Sequence, residues 1–215
     1  MPTPCEFEDH YGFPVHSITP FPNSERAWHV EGRERAWVLR LHGPEHQANH
    51  ASEIAALRFL EKIGHPAPRL LAARDGEVIT QWGEKAGYLT TFVPGEQLEP
   101  GVDAARQVGC TLGWLHTQEA VKAGLPKTNF TVCAKREIFR RLDADPVVRA
   151  WEGYETICDE LALAWEQLPD LSDMPRVLVH TDVLFHNAIR TPTGELVLID
   201  WEGAGVGPAI QDIGY

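Results

Sequence analysis

Two apolar segments near the C-terminal end of the chain run directly into polar side chains. Residues 177–179 lead into His180 and Asp182, and residues 196–199 lead into Asp200. Both segments are short apolar runs of the kind that form buried strands. A buried strand that ends in a carboxylate holds that group rigidly at the edge of a sheet. The sequence therefore predicts a polar site where these two strands end.

The carboxylates of this site and one nearby amide suit a metal-assisted reaction. Asn187 follows Asp182 by five residues, in the segment between the two strands. Mg²⁺ prefers oxygen ligands and keeps several waters, so few protein ligands suffice when substrate phosphates complete the shell. Asn187 and Asp200 fit that requirement. Asp182 is then left to orient an incoming hydroxyl and to take its proton.

The spacing of these residues carries a family resemblance. His180, Asp182 and Asn187 form the pattern HxDxxxxN, and Asp200 ends a strand 13 residues later. With this pattern, residues 177–215 resemble the catalytic core of the aminoglycoside phosphotransferase family, relatives of the choline kinases and of protein kinases. The resemblance implies a two-lobed protein-kinase-like fold. It also implies transfer of the γ-phosphoryl group of ATP or GTP, with Mg²⁺, to a hydroxyl of a small molecule.

The same resemblance implies a role for each polar residue of the site. Asp182 is expected to be the catalytic base, and His180 is expected to support the catalytic loop. Asn187 and Asp200 are expected to be the Mg²⁺ ligands. Asp212 matches a family aspartate that follows the metal-binding segment, and we expect it to anchor the catalytic loop.

The resemblance extends through the first half of the chain to a nucleotide site. Arg40 stands where the family carries its phosphate-binding cation, and Glu53 matches the glutamate that pairs with this cation. Residues 88–95 resemble the linker between the lobes, where backbone groups meet the nucleotide base. The residues implied to contact the nucleotide are therefore Ser24, Arg40, Glu53, Thr91, Phe92 and Val93.

Three features depart from the family pattern. Arg40 replaces a lysine; it keeps the charge and can grip a phosphate with two hydrogen bonds, but its fork is larger. Residues 23–27 take the place of the phosphate-covering loop and contain no glycine, so phosphate contacts there fall to backbone amides and the Ser24 hydroxyl. Tyr215 lies where family members continue into helices that help to form the acceptor pocket.

The distribution of predicted elements is that of an α+β chain. Residues 1–93 are predicted to form an N-terminal nucleotide-binding lobe, an antiparallel sheet with one helix. Residues 94–215 are predicted to form a mainly helical catalytic lobe with a catalytic β-hairpin, whose strands flank the turn at residues 192–194. Residues 203–207 are expected to be a flexible loop. Strands are predicted at 28–30, 35–41, 77–81, 88–93, 176–180 and 195–200, and helices at 47–63, 104–116, 135–142 and 154–168.

Composition limits the partners of the chain. With 19 Lys+Arg against 31 Asp+Glu, the net charge of −12 argues against a nucleic-acid or anionic-membrane surface and slightly favours a cationic acceptor. The four cysteines form no CxxC pair, and reduced thiols in a cytoplasm are expected. No signal peptide or membrane span is predicted. Nothing in the sequence predicts an oligomeric state.

Two other functions stay open. His180, Asp182, His186 and Asp200 make a mixed nitrogen and oxygen set that would suit a metal-dependent hydrolase. A catalytically weak or inactive relative that binds a nucleotide is the other alternative, motivated by Arg40 and the glycine-free loop. The identity of the acceptor and the choice between ATP and GTP are not predicted.

Overall fold

The alternating segment around Arg40 forms the central strand of a six-stranded antiparallel sheet. The computed structural model describes residues 2–22, 24–44, 47–128, 132–167, 171 and 173–213. The strand order is β1-β2-β3-β6-β4, and β5 also pairs with β6. The strands of this sheet are β1 (Ser17–Pro20), β2 (Ala27–Glu31), β3 (Ala36–His42), β4 (Leu70–Leu71), β5 (Thr80–Trp82) and β6 (Lys85–Thr91).

The two faces of β3 serve different purposes. Trp37, Leu39 and Leu41 point to one face and are buried in a core with β2 and β6. Val38 and Arg40 point to the other face and line a cavity. This division follows from the period of two along a strand.

A helix that the sequence analysis did not predict covers the apolar face of this sheet. Helix α1 (Pro4–Tyr11) buries Phe7 and Tyr11 against the tryptophans of the sheet. Its start has a local signal, because Thr3 and Glu6 form a reciprocal capping box with Pro4 at the first helical position. The helix is too short for its apolar period to stand out.

Helix α2 (Gln47–Lys62) is inserted between β3 and β4 of the first sheet, where a helix was predicted. Its residues Ala56, Leu57 and Leu60 belong to a core that also contains residues of the second half of the chain. It therefore stands between the sheet and the helical lobe. Glu53, on the same helix, is 3% exposed and faces the cavity.

The second half of the chain combines helices with two small sheets. The helices are α3 (Val102–Leu115), α4 (Val132–Asp143), α5 (Pro146–Arg149) and α6 (Tyr154–Gln167). The strands are β7 (Glu96–Gln97), β8 (Arg176–Val179), β9 (Ala188–Arg190), β10 (Leu196–Leu198) and β11 (Gly205–Pro208). The sheets are β10-β9-β7 and β11-β8. None of the helices in the described ranges is long and apolar enough to cross a bilayer.

The catalytic hairpin is present, but its strands are not the pair that was predicted. The turn at 192–194 joins β9 to β10, with Leu196 opposite Arg190, whereas β8 pairs with β11. The predicted pairing of 176–180 with 195–200 was wrong, because a short strand at 188–190 follows Asn187 directly and pairs with β10. The expected flexible loop at 203–207 is largely strand β11. The strand predicted at 77–81 begins only at Thr80.

Glycine is required at Gly205 in β11 because another backbone segment packs against it. A Cβ atom at Gly205 would lie 2.6 Å from the backbone nitrogen of Thr128. The backbone of residues 126–128 therefore approaches this strand closely, and Val206 donates from its N–H to the Pro126 carbonyl at 2.7 Å. The glycines in this segment serve close packing rather than flexibility.

Gly95, between the two halves of the chain, provides a test of this backbone. It has φ of 152°, and a Cβ there would overlap the Arg190 carbonyl oxygen. We expect Gly95→Ala to lower the free energy of unfolding by on the order of 1–3 kcal/mol, measured by urea denaturation. Gly109→Ala is the control, since a Cβ added at this position in α3 would meet no atom beyond its chain neighbours and the backbone of its own helix within 4 Å. It should raise stability by about 0.5–1 kcal/mol. Equal stability of Gly95→Ala and the wild type would contradict this account.

Candidate active site

A cavity of about 410 Å³ lies between the six-stranded sheet and the hairpin β9–β10. Its walls come from both halves of the chain, including Val38 of β3 and Ile189 of β9. All the residues predicted to contact a nucleotide line it, and so does one predicted metal ligand: Ser24, Arg40, Glu53, Thr91, Phe92, Val93 and Asp200. The structure brings this set together, and the role of each residue stays a prediction.

Two backbone N–H groups of the linker at one end of the cavity are already hydrogen-bonded to other segments of the protein. The N–H of Thr91 donates to the Arg69 carbonyl at 2.8 Å, and the N–H of Phe92 donates to the Ala36 carbonyl at 3.1 Å. The N–H of Val93 has no hydrogen-bond partner in the part of the chain that the structure describes. The Val93 amide is therefore available to a base.

The Arg40 guanidinium spans the cavity from α2 to the end of β10. Its Nε lies 3.7 Å from Glu53 Oε1, and its Nη1 lies 3.2 Å from Asp200 Oδ1. Burial lowers the pKa of Arg40, but the nearby Glu53 and other negative charges outweigh this effect and raise the pKa overall. For the carboxyl group of Glu53 the effect of burial has the opposite sign: burial raises its pKa, and the Arg40 charge opposes that shift. Arg40 thus carries its positive charge near neutral pH.

Residues 24–27 are held at the cavity by polar contacts of their own. The Ser24 hydroxyl accepts hydrogen bonds from the backbone nitrogens of Arg26, at 3.3 Å, and Ala27, at 3.1 Å. The Arg26 guanidinium pairs with Glu202 at 2.9 Å. This ion pair joins the segment to the chain just beyond Asp200, and neither partner was predicted to contribute.

His180 is buried and held in one tautomer. Its Nε2 lies 2.9 Å from the Ile199 carbonyl, which can only accept, so Nε2 carries the hydrogen. Its Nδ1 then accepts from the backbone N–H of Asp182 at 3.3 Å. Burial lowers the pKa of His180, so the ring is neutral near pH 7. The ring therefore links the start of the loop 180–187 to Ile199, the residue before Asp200.

Asn187 is oriented by Asp182. Its Nδ2 donates to Asp182 Oδ2 at 2.8 Å and to the Asp182 carbonyl at 3.0 Å. Because the NH₂ end faces Asp182, the amide oxygen is the end available to a cation. The backbone carbonyl of Asn187 accepts from the Ile199 N–H at 2.9 Å, so the segments carrying the two predicted metal ligands are hydrogen-bonded to each other.

The donor atoms at this point suit Mg²⁺. An amide oxygen from Asn187 and the carboxylate of Asp200 are hard oxygen ligands of the kind that this ion prefers. The set predicted for a metal-dependent hydrolase is less suitable, because both ring nitrogens of His180 are already engaged. In the ranges that the structure describes, no three His, Cys, Asp or Glu side chains are grouped so that they would hold a metal.

Two residues of the site have left-handed backbones although neither is glycine. Thr181 has φ of 71° and Asp200 has φ of 66°. A β-branched residue in this region is a genuine outlier, and such strain persists only where the surroundings enforce it. At Thr181 the buried Asp212 carboxylate holds the left-handed backbone in place. Its Oδ1 accepts from the backbone N–H groups of His180, at 2.9 Å, and Thr181, at 2.7 Å. Oδ2 of Asp212 lies 2.8 Å from His116 Nε2.

The fold and this site define a kinase-like phosphotransferase. The chain belongs to the APH phosphotransferase enzyme family, whose model matches residues 17–215. A search of curated proteins by sequence finds no match.

Solved structures show the same fold. A choline kinase from Streptococcus pneumoniae is 16% identical, with 97% of this chain and 70% of that chain covered and a TM-score of 0.70. A microcompartment-associated aminopropanol kinase is 20% identical, with 97% and 71% covered and a TM-score of 0.69. A spectinomycin phosphotransferase in complex with ADP and spectinomycin is 18% identical, with 98% and 70% covered and a TM-score of 0.64. The two-lobed kinase-like fold is thereby confirmed.

The Asp212 carboxylate gives a testable prediction about the catalytic loop. Asp212→Ala leaves two buried N–H groups without an acceptor, and we expect the free energy of unfolding to fall by on the order of 3 kcal/mol. Asp212→Asn keeps one oxygen at the position of Oδ1, so its loss should be less than half as large. The measurement is urea unfolding, with the exposed Asp159→Ala as control. Equal losses for Asp212→Ala and Asp159→Ala would contradict the anchoring role.

Proposed function

We propose that this chain transfers the γ-phosphoryl group of ATP or GTP to a hydroxyl of a small molecule, with Mg²⁺ and with Asp182 as the base. One observation carries the proposal. The Asp182–Asn187 pair is hydrogen-bonded through Ile199 to the edge of a nucleotide-sized cavity that also contains Arg40 and Asp200.

The nucleotide occupies the cavity between an N-terminal lobe, 1–93, and a C-terminal lobe, 94–215. Its base lies against the linker, with the Val93 amide as donor. Its phosphates lie toward Arg40, which grips them with its guanidinium, and toward Ser24, whose segment covers them. The division of the chain at residue 93 is part of the proposal.

Asn187 and Asp200 would hold Mg²⁺ through the amide oxygen and a carboxylate oxygen. When bound, the ion neutralises the negative charge of the phosphates and fixes their orientation. The left-handed backbone of Asp200 turns its side chain into the cavity rather than along the strand. This is the purpose that we assign to the strain at that residue.

Asp182 acts on the acceptor hydroxyl. Its Oδ2 is occupied by Asn187, so Oδ1 is the atom that takes the hydroxyl proton. The acceptor oxygen then bonds to the γ-phosphorus as the bond from that phosphorus to the leaving oxygen breaks, releasing the nucleoside diphosphate. The neutral His180 keeps the loop in place without placing a positive charge beside the Asp182 carboxylate.

An acceptor that carries an amine is the class we favour. Two of the similar structures are kinases named for the amino alcohols choline and aminopropanol. The net charge of −12 also attracts a cationic substrate. The test is a panel in which each amino alcohol is matched to a neutral alcohol of the same shape, assayed with ATP and with GTP.

A second candidate is a nucleotide-binding relative with little or no transfer activity. The contact between Arg40 and Asp200 favours it, because each group neutralises a charge that catalysis would otherwise use. Thermal stabilisation by Mg-ATP or Mg-GTP without transfer to any acceptor in the panel would support this candidate.

Substitution of Asp182 tests the mechanism of the first candidate. We expect Asp182→Asn to reduce phosphoryl transfer by about 10²–10⁴-fold, the usual contribution of general base catalysis, and to leave nucleotide affinity nearly unchanged. Asp200→Asn should instead weaken binding of the Mg-nucleotide. Transfer is measured by the acceptor-dependent release of diphosphate nucleotide, and affinity by calorimetry. Wild-type turnover by Asp182→Asn would contradict the mechanism.

A further inference from the structure

A buried tyrosine hydroxyl lies behind the Arg40–Glu53 pair. Tyr88, on β6, is directly opposite Arg40 in the antiparallel register, so both side chains lie on the same face of the sheet. Its hydroxyl donates to Oε2 of Glu53. Tyr88 is fully buried, and neither the sequence pattern nor the proposed reaction gives its side chain a role.

Because of this hydroxyl, the two carboxylate oxygens of Glu53 have different partners. A guanidinium and a carboxylate tend to pair through two parallel hydrogen bonds. Here Tyr88 takes Oε2, and only Oε1 faces Arg40, at 3.7 Å from Nε. The Nη1 group of Arg40 is consequently directed away from Glu53 and reaches Asp200, 3.2 Å away.

The surroundings hold Tyr88 in this position. The ring of His42 is stacked parallel to the Tyr88 ring, with centroids 6.3 Å apart, and the His50 ring meets it edge-on at 5.3 Å. Burial raises the pKa of the Tyr88 hydroxyl, and the charge of Glu53 adds to that shift, so the hydroxyl keeps its hydrogen and remains a donor.

We propose that Tyr88 is a positioning residue for nucleotide binding: by occupying one oxygen of Glu53, it disfavours a two-pronged Arg40–Glu53 pair and turns the Nη groups of Arg40 toward Asp200 and the part of the cavity where phosphate binds. The proposal rests on the proposed function and deepens it. It also explains why an arginine can serve where the family has a lysine. A lysine ammonium is a single point charge and has no fork to be captured.

A double-mutant cycle in nucleotide affinity tests the proposal. The probe is Mg²⁺ with a non-hydrolysable ATP analogue, and in a parallel series with a GTP analogue, titrated by calorimetry without an acceptor. We expect Tyr88→Phe to raise the Kd about tenfold in the protein with Arg40. In the Arg40→Lys background the same change should raise the Kd by less than about threefold, because coupled residues give non-additive effects.

Tyr11→Phe is the matched control. Tyr11 is also a buried tyrosine next to the same sheet, and its hydroxyl lies 3.3 Å from Thr80 Oγ1, on the opposite face from the cavity. Its loss should leave the Kd within about twofold in both backgrounds, as expected for sites that share no partners. A general loosening of the sheet would instead raise the Kd for both tyrosine variants.

The possible results separate this inference from the proposed function. If the wild type binds nucleotide and Tyr88→Phe raises the Kd equally in both backgrounds, or not at all, the inference is wrong and the proposed function stands. If the wild type binds neither analogue, the proposed function fails and the inference with it. Should Tyr88→Phe not fold, Glu53→Gln takes its place. The amide of Gln carries no charge, and with its oxygen on the Tyr88 hydroxyl its NH₂ end would face the Arg40 guanidinium, so the Kd should rise. A Kd unchanged by Glu53→Gln would overturn the inference.

Discussion

The structure depends on a positive charge placed in a buried position between its two lobes. The Arg40 side chain is 17% exposed, and an isolated charge at such a depth would cost several kcal/mol. Glu53 and Asp200 balance it from opposite sides. The pairing places α2 against the sheet on one side and the end of β10 on the other. A single guanidinium thus links the sheet, the inserted helix and the segment that carries a predicted metal ligand.

A second constraint acts within the second half of the chain. The loop from His180 to Asn187 is strained at Thr181, where a left-handed backbone costs on the order of 1–3 kcal/mol. The Asp212 carboxylate offsets that cost with hydrogen bonds to two consecutive backbone N–H groups, and bonds to charged acceptors are stronger than neutral ones. Asp212 also contacts His116, at the end of α3. The strained loop is therefore held from a helix more than 60 residues earlier in the chain.

The sequence predicted those parts of the fold and site that depend on local pattern. The alternation in β3 indicated which residues face the core, and the HxDxxxxN spacing selected side chains that the structure places around Ile199. It failed where the outcome depends on pairing between distant segments. The strand that pairs with β8 was predicted wrongly, because nothing in the local sequence distinguishes β11 from a glycine-rich loop. The Tyr88 contact with Glu53 was missed because it requires the register of β6 against β3, and the capping box before α1 was a local signal that was overlooked.

The central claim is that Arg40 and Asp200 face each other because both bind parts of one Mg-nucleotide. A crystal structure with Mg²⁺ and a non-hydrolysable ATP or GTP analogue tests it most directly. The account predicts phosphate oxygens within hydrogen-bond distance of the Arg40 guanidinium, and a metal ion bound by the Asn187 amide oxygen and the Asp200 carboxylate. A nucleotide bound outside the cavity, or one bound inside it with no phosphate on Arg40, would contradict the account.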